Sequence, residues 1–128
     1  MITGFEKYTA QLNDTELKAL HYIVPRLKNN RGEAQVVTND KIQQALQEVG
    51  MKVSGPRIRK IIHVIRVAGI IRRLKATGRG YYVAETLTEL REYDKSLEER
   101  IAHQQTLRES VQRDIHEWQM SMQGRLGL

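Results

Sequence analysis

Nine side chains with a fixed positive charge fall between Gly50 and Ala84: Lys52, Arg57, Arg59, Lys60, Arg66, Arg72, Arg73, Lys75 and Arg79. The same stretch, GMKVSGPRIRKIIHVIRVAGIIRRLKATGRGYYVA, holds no Asp or Glu. Guanidinium and ammonium groups gathered this way donate charge-assisted hydrogen bonds to oxyanions, arginine as a planar fork and lysine as a point charge. The chemistry on offer is the holding of a polyanion. The rest of the chain does not share the bias. Residues 1–49 carry as many acids as bases and residues 85–128 carry a net −3, against +6 for the whole. Charge confined to one segment is the electrostatic footprint of a nucleic-acid-binding surface, whereas charge spread evenly would mean only general stickiness.

Bond-making chemistry has no comparable constellation. The chain contains no phosphate-binding glycine loop, no G-x-G-x-x-G, no G-x-S-x-G and no H-E-x-x-H. Its serines are Ser54, Ser96, Ser110 and Ser121, three of them in the polar C-terminal third. There is no cysteine, which excludes disulfides, thiolate catalysis and cysteine-ligated zinc. Glu99 and His103 stand four apart, a spacing that can hold a metal, but with no third ligand in register they read as a helix-surface pair. The expectation is a protein that is not an enzyme and that needs no cofactor or metal.

The basic segment has an internal order that would place its charges. Ser54-Gly55-Pro56 opens a helix. The residue before a proline avoids the helical region, so Gly55 is expected as the N-cap and Pro56 as the first helical residue. Ile58, Ile61, Ile62 and Ile65 share one face at helical spacing. Arg59, Lys60 and His63 point away from it, with Arg57 and Arg66 on the flanks. Gly69 is the expected left-handed terminator. Ile70 to Lys75 reads as a strand, Thr77-Gly78-Arg79-Gly80 as a tight turn with positive φ at both glycines, and Tyr81-Tyr82-Val83 as the returning strand. Of the two tyrosines, alternation sends one to the core and one to solvent.

Upstream, Leu12-Asn13-Asp14-Thr15-Glu16-Leu17 has the form of a capping box with a hydrophobic staple. It opens a helix striped by Leu17, Leu20, Val24 and Leu27, which Pro25 should kink or end. Ala34 to Val37 is a short β-prone run. Thr38 is the expected N-cap of a second helix, with Ile42, Ala45, Leu46 and Val49 facing inward and Gly50 closing it. Only Met51-Lys52-Val53-Ser54 separates it from the basic helix, the signature of a helix-turn-helix.

Helix, short strand, helix, turn, helix, strand, strand over residues 12–84 resembles the winged helix-turn-helix family. The resemblance rests on that order, on the Val36-Val37-Thr38 entry to the second helix and on Gly69-Ile70-Ile71 leading into a glycine-turned hairpin. The run SGPRIRKIIHVIR…GYYVA is also similar to short winged-helix proteins of double-stranded DNA phages and prophages. What the resemblance implies is sequence-directed binding of double-stranded DNA by a transcriptional or replication regulator. The helix from Pro56 to about Val67 would enter the major groove, and the hairpin would act as the wing. Lys52, Ser54, Arg57, Arg59, Lys60, His63 and Arg66 are then the expected contacts of the turn and helix, and Arg72, Arg73, Lys75 and Arg79 those of the wing. A protein-interaction module without specific DNA binding is the alternative. RNA binding has no signature motif here.

Residues 85–123 change character. They lack proline and glycine and mix both charges. Leu87, Leu90, Leu97, Ile101, Val111, Ile115, Trp118 and Met122 recur at heptad spacing, interrupted by Asp94, Gln104 and Arg108. The pattern predicts one helix of roughly 55 Å. Leu90, Leu97, Ile101, Val111, Ile115 and Trp118 are its expected pairing stripe, joining two copies as a homodimer, with a fold-back near Gln104 as the competing solution. Gly124 to Leu128 should fray. The fold class expected is mainly α, a winged helix-turn-helix with a small β-hairpin wing, followed by a long helix. The N-terminus has no signal-like run and no segment reaches the roughly 18 apolar residues of a membrane span, so a cytoplasmic protein is expected. No small-molecule effector is evident.

Overall fold

The computed structural model describes residues 9–125. It divides into two compact units, Met1–Leu90 and Arg91–Leu128. The elements are α1 (Asp14–Leu27), a 3-10 turn (Glu33–Gln35), α2 (Asn39–Glu48), α3 (Gly55–Ala68), β1 (Leu74–Thr77), β2 (Gly80–Val83) and α4 (Leu87–Arg125). The protein is thus mainly helical, with one small antiparallel hairpin and a long C-terminal helix. No helix among the described residues is long and apolar enough to cross a membrane.

Helix α1 starts where its capping box places it. The Asn13 side chain accepts from the Glu16 N–H at 2.8 Å, and the Glu16 carboxylate accepts from the Asn13 N–H at 2.9 Å. Pro25 does not end the helix. It lies in the last turn, and two further residues follow before Lys28 caps. Helix α2 is capped by the Thr38 hydroxyl, which accepts from the Lys41 N–H. Its inward residues are Ile42 and Leu46. Val49, expected inside, is 50% exposed because it is the C-cap, where the chain has already left helical geometry.

Helix α3 begins one residue earlier than the proline rule suggests, with Ser54 as N-cap and Gly55 as the first helical residue. Glycine carries no Cβ to clash with the proline ring, so it tolerates the position that a larger residue would not. Gly69 terminates the helix at φ 69°. Ile58, Ile61 and Ile65 are fully buried. They pack with Leu20, Ile23 and Leu27 of α1 and Leu46 of α2 into one aliphatic core. Burying each such side chain is worth roughly 1.5–3 kcal/mol, so this face, more than helix propensity, holds α3 in place.

Two expected strands are shorter than read. Ile70 to Arg73 forms a turn in which Arg73 takes φ 65°, and pairing begins only at Leu74. The Arg73 carbonyl accepts from the Ala84 N–H, which ties the turn to the end of β2. The run Ala34 to Val37 makes no strand. It contributes a 3-10 turn and a single bridge from Val37 to Tyr81, because Val37 and Tyr81 exchange both backbone hydrogen bonds and nothing extends the ladder. The hairpin turn itself is only Gly78-Arg79. Gly80 has the positive φ that was expected, whereas Gly78 does not.

Helix α4 runs without interruption through Gln104, so it does not fold back there. Its entry is set by Thr86 and Glu89: the Thr86 hydroxyl accepts from the Glu89 N–H, and the Glu89 carboxylate accepts from the Glu85 N–H and the Thr86 hydroxyl. The helix also continues through Gly124 to Arg125; Leu126 to Leu128 lie outside the described residues.

Candidate nucleic-acid interface

With Ile58, Ile61, Ile62 and Ile65 turned inward, helical geometry sends residues 59, 63, 66 and 67 to the opposite face of α3. Arg59 and His63 are exposed there, and Arg66 is half-buried. Lys52 and Ser54, in the turn ahead of α3, are exposed as well. The Ser54 side chain makes no capping bond. The N-terminal end of α3 therefore presents backbone donors and a positive dipole end beside Lys52, Ser54 and Arg59, an arrangement suited to a phosphate oxygen.

The start of α3 is held from two sides. Asn39, the first residue of α2, donates its side-chain amide to the Gly55 carbonyl at 3.1 Å and accepts from the Tyr81 hydroxyl at 2.8 Å. One amide thus joins α2, α3 and the hairpin. Gly55 leaves room for it: a Cβ there would lie 3.3 Å from the Asn39 amide nitrogen and 3.8 Å from the Arg59 guanidinium. Burial raises the pKa of the Tyr81 phenol, and the charges of Arg59 and Arg66 oppose that rise in part. The phenol stays protonated and keeps its bond to Asn39.

On the other flank, Arg57 and Lys60 do not stand free. The Glu16 carboxylate of α1, only 3% exposed, accepts from Lys60 Nζ at 3.2 Å and Arg57 Nε at 3.5 Å. Arg57 also donates to the Asn13 side chain at 3.3 Å. Burial alone would push the Glu16 pKa up. The Asn13 N–H, Lys60 and Arg57 outweigh it and hold the carboxyl below its ordinary value. Two of the three cations expected to read DNA from the start of α3 therefore also fasten α3 to α1.

The hairpin divides its charges in the same way. Arg72 and Arg73 are exposed in the turn before β1. Arg79 at the tip pairs with Glu33 at 3.0 Å, a contact open to water on both sides and so worth little. Lys75, expected on the surface, is 6% exposed and lies 5.0 Å from the ring of Tyr82, its cross-strand partner. The four-carbon stem and the aromatic face cover one another, and the ammonium is withdrawn from any groove. Both tyrosines are buried, not one of them. Strand β2 is covered on both faces, so alternation no longer separates core from solvent along it.

The expected site residues thus fall into three groups. Lys52, Ser54, Arg59, His63, Arg72 and Arg73 are exposed, with Arg66 half-buried beside them. Arg57, Lys60 and Arg79 are shared with carboxylates. Lys75 is buried. The stripe on α4 lies on one face, with Ile101, Val111, Ile115 and Trp118 between 47% and 71% exposed and Leu90 and Leu97 half-buried. Glu16, Asn39 and Glu33 are the residues that sequence reasoning did not connect to the site. For Glu16 the capping box was legible, but nothing in the spacing shows that the same carboxylate also receives two cations from 41 and 44 residues away. Among the described residues no three His, Asp or Glu side chains gather as a metal site would require.

Compared with protein-family models, with curated proteins and with solved structures, the chain matches none of them.

Proposed function

We propose that the chain is a double-stranded DNA-binding protein of winged helix-turn-helix type, with α3 entering the major groove, the hairpin as the wing and two copies joined through α4. The observation that carries this reading is the outward face of α3. Arg59, His63 and Arg66 line one side of a helix whose opposite side is packed to full burial, with Lys52 and Ser54 at its open end. A rigid helix with an acid-free outer face, a bare N-terminal end and a basic turn beside it has the parts needed to sit between phosphate backbones and reach base edges. Among the described residues, the carboxylates of Glu16 and Glu33 take charges at the margins of the basic segment. The resemblance to winged-helix proteins of phages and prophages makes control of transcription or replication the natural task.

Two measurements test the reading. Binding to duplex DNA should weaken with salt at a slope of about −4 in log K against log salt, because Lys52, Arg59, Arg72 and Arg73 are exposed to phosphates and each contributes about −0.9. A flat titration would remove the electrostatic interface. Arg59→Ala should cost about 1–3 kcal/mol of discrimination between a selected site and random duplex, whereas Arg73→Ala should weaken both equally. Lys60→Ala should lower thermal stability and leave discrimination nearly unchanged, since its ammonium is committed to Glu16. Equal losses of specific and non-specific binding for Arg59→Ala and Arg73→Ala would make the α3 assignment wrong.

The exposed face of α4 also supports a second reading, a module that assembles with a protein partner and leaves DNA alone. Retention on heparin and a shift of random duplex at low salt separate the two. An assembly module shows neither.

A further inference from the structure

The stripe on α4 carries a direction. Two heptad positions make the seam: Leu87, Asp94, Ile101, Arg108, Ile115 and Met122 at the first, and Leu90, Leu97, Gln104, Val111 and Trp118 at the fourth. Leu87, Ile101, Val111, Ile115, Trp118 and Met122 are each 47% to 71% exposed in the single chain. Leu90 and Leu97 keep part of their surface open. A parallel pair in register stacks each seam residue on its own copy. That sets Asp94 against Asp94 and Arg108 against Arg108, like charges facing in a desolvated seam.

We infer that a second copy of this chain covers the stripe in the antiparallel direction, in the one register where Leu97 faces Ile115 of the other copy and Ile101 faces Val111. The inference rests on the pairing of two copies through α4 proposed above and adds its direction and register. In an antiparallel pair, first-position residues face fourth-position residues. This register also puts Leu90 against Met122 and Gln104 against Arg108, and only at its outermost position does it set Leu87 opposite Arg125. Asp94 faces Trp118, whose indole N–H is a donor for the carboxylate. Sliding by one heptad either way opposes Arg108 to Leu97 or to Val111 and breaks the match.

The flanks select the same register independently. In antiparallel pairs the residues before each first position face their counterparts across the axis. Here they bring Arg100 against Asp114 of the other copy, twice, and Leu107 against itself on the two-fold axis. Among the described residues neither Arg100 nor Asp114 forms an ion pair within its own chain, and Leu107 is 57% exposed. The register overlaps the helix along its whole length from Leu87 to Arg125, which is about 58 Å at 1.5 Å per residue. The two helix starts then lie at opposite ends of the pair.

The chain has no cysteine, so single thiols report direction cleanly. Ile101→Cys and Val111→Cys variants of the full chain are oxidised separately and as a mixture. The antiparallel register offsets each position from its own copy by about 15 Å along the axis, far beyond disulfide reach, and sets 101 beside 111. Expected is a covalent dimer from the mixture alone, formed between one variant and the other. Covalent dimers from each variant by itself mean a parallel pair and overturn the inference. Covalent dimers from neither, or a monomeric mass at tens of micromolar, overturn it as well. A charge exchange supplies the second arm. Asp114→Arg should weaken dimerisation about tenfold, and adding Arg100→Asp in the same chain should restore it. Failure of the double variant to recover removes the register. None of these readouts involves DNA, so loss of duplex binding by Arg59→Ala leaves them untouched.

Discussion

Gly80→Ala is expected to lower the stability of the N-terminal unit by about 3 kcal/mol, through strain and steric conflict acting together. Gly80 opens β2 at φ 134°, a conformation that residues with a side chain avoid. A Cβ there would also meet backbone that cannot swing aside: it would overlap the Val37 carbonyl oxygen and stand 2.8 Å from the Val37 carbonyl carbon. Relief requires Val37 and Tyr81 to separate, and they are joined by two backbone hydrogen bonds of 2.8 and 3.0 Å. Moving Tyr81 would in turn strip Asn39 of the phenol that accompanies its bond to the start of α3. A fall in melting temperature of more than 10 °C should follow for a unit of this size. Gly78→Ala is the control. Gly78 has no positive φ and open space where its Cβ would be, so the melting temperature should hardly move. If the two variants melt together, the close approach at Val37 does not constrain the hairpin.

Glu16→Ala is expected to cost about 2 kcal/mol. Removing one partner of a buried ion pair commonly costs about 3–5 kcal/mol, but Arg57 and Lys60 are 37% and 43% exposed, and water can take over part of their solvation. The substitution also removes the reciprocal half of the α1 capping box, since Glu16 accepts from the Asn13 N–H. The effect carries a pH signature. Burial raises the Glu16 pKa, but the Asn13 N–H, Lys60 and Arg57 together leave it below the ordinary value of 4.5. A carboxyl whose pKa is lower folded than unfolded stabilises the fold fully above the unfolded value, and that stabilisation is lost as pH falls through the folded one. The gap between wild type and Glu16→Gln should therefore be constant from neutral pH down to about 4.5 and close below it. Urea titrations across that range measure it directly. A gap that stays open in strong acid would show that packing, not charge, is what Glu16 contributes. The same variant frees Arg57 and Lys60, so non-specific DNA affinity should rise while stability falls. A purely structural role for the pair would not produce that opposition.

The elements that depend on neighbours in the chain were legible as sequence. Asn13 and Glu16 closed their capping box, Thr38 capped α2, Gly69 took the left-handed turn and four isoleucines fixed the buried face of α3. Each is decided within one helical turn, by backbone groups a side chain can reach without help. The heptads of α4 were legible for the same reason, because a 3.5-residue repeat is a local property. The hairpin strands were overextended because Ile70 and Ile71 have strand propensity but are bent into a turn by the approach of Ala84 to Arg73. Propensity gave way to a long-range bond.

The sequence by itself determined where the positive charge lies, which face of α3 is buried and that apolar residues recur at heptad spacing along α4. Only the tertiary structure decided which charges remain available. Arg57 and Lys60 meet Glu16, Lys75 lies against Tyr82, and Arg79 reaches Glu33, all across separations that periodicity does not encode. The reason is physical. A helix or strand repeat says which way a side chain points, whereas its free charge depends on what another element brings within about 4 Å, and that is set by packing of the whole core.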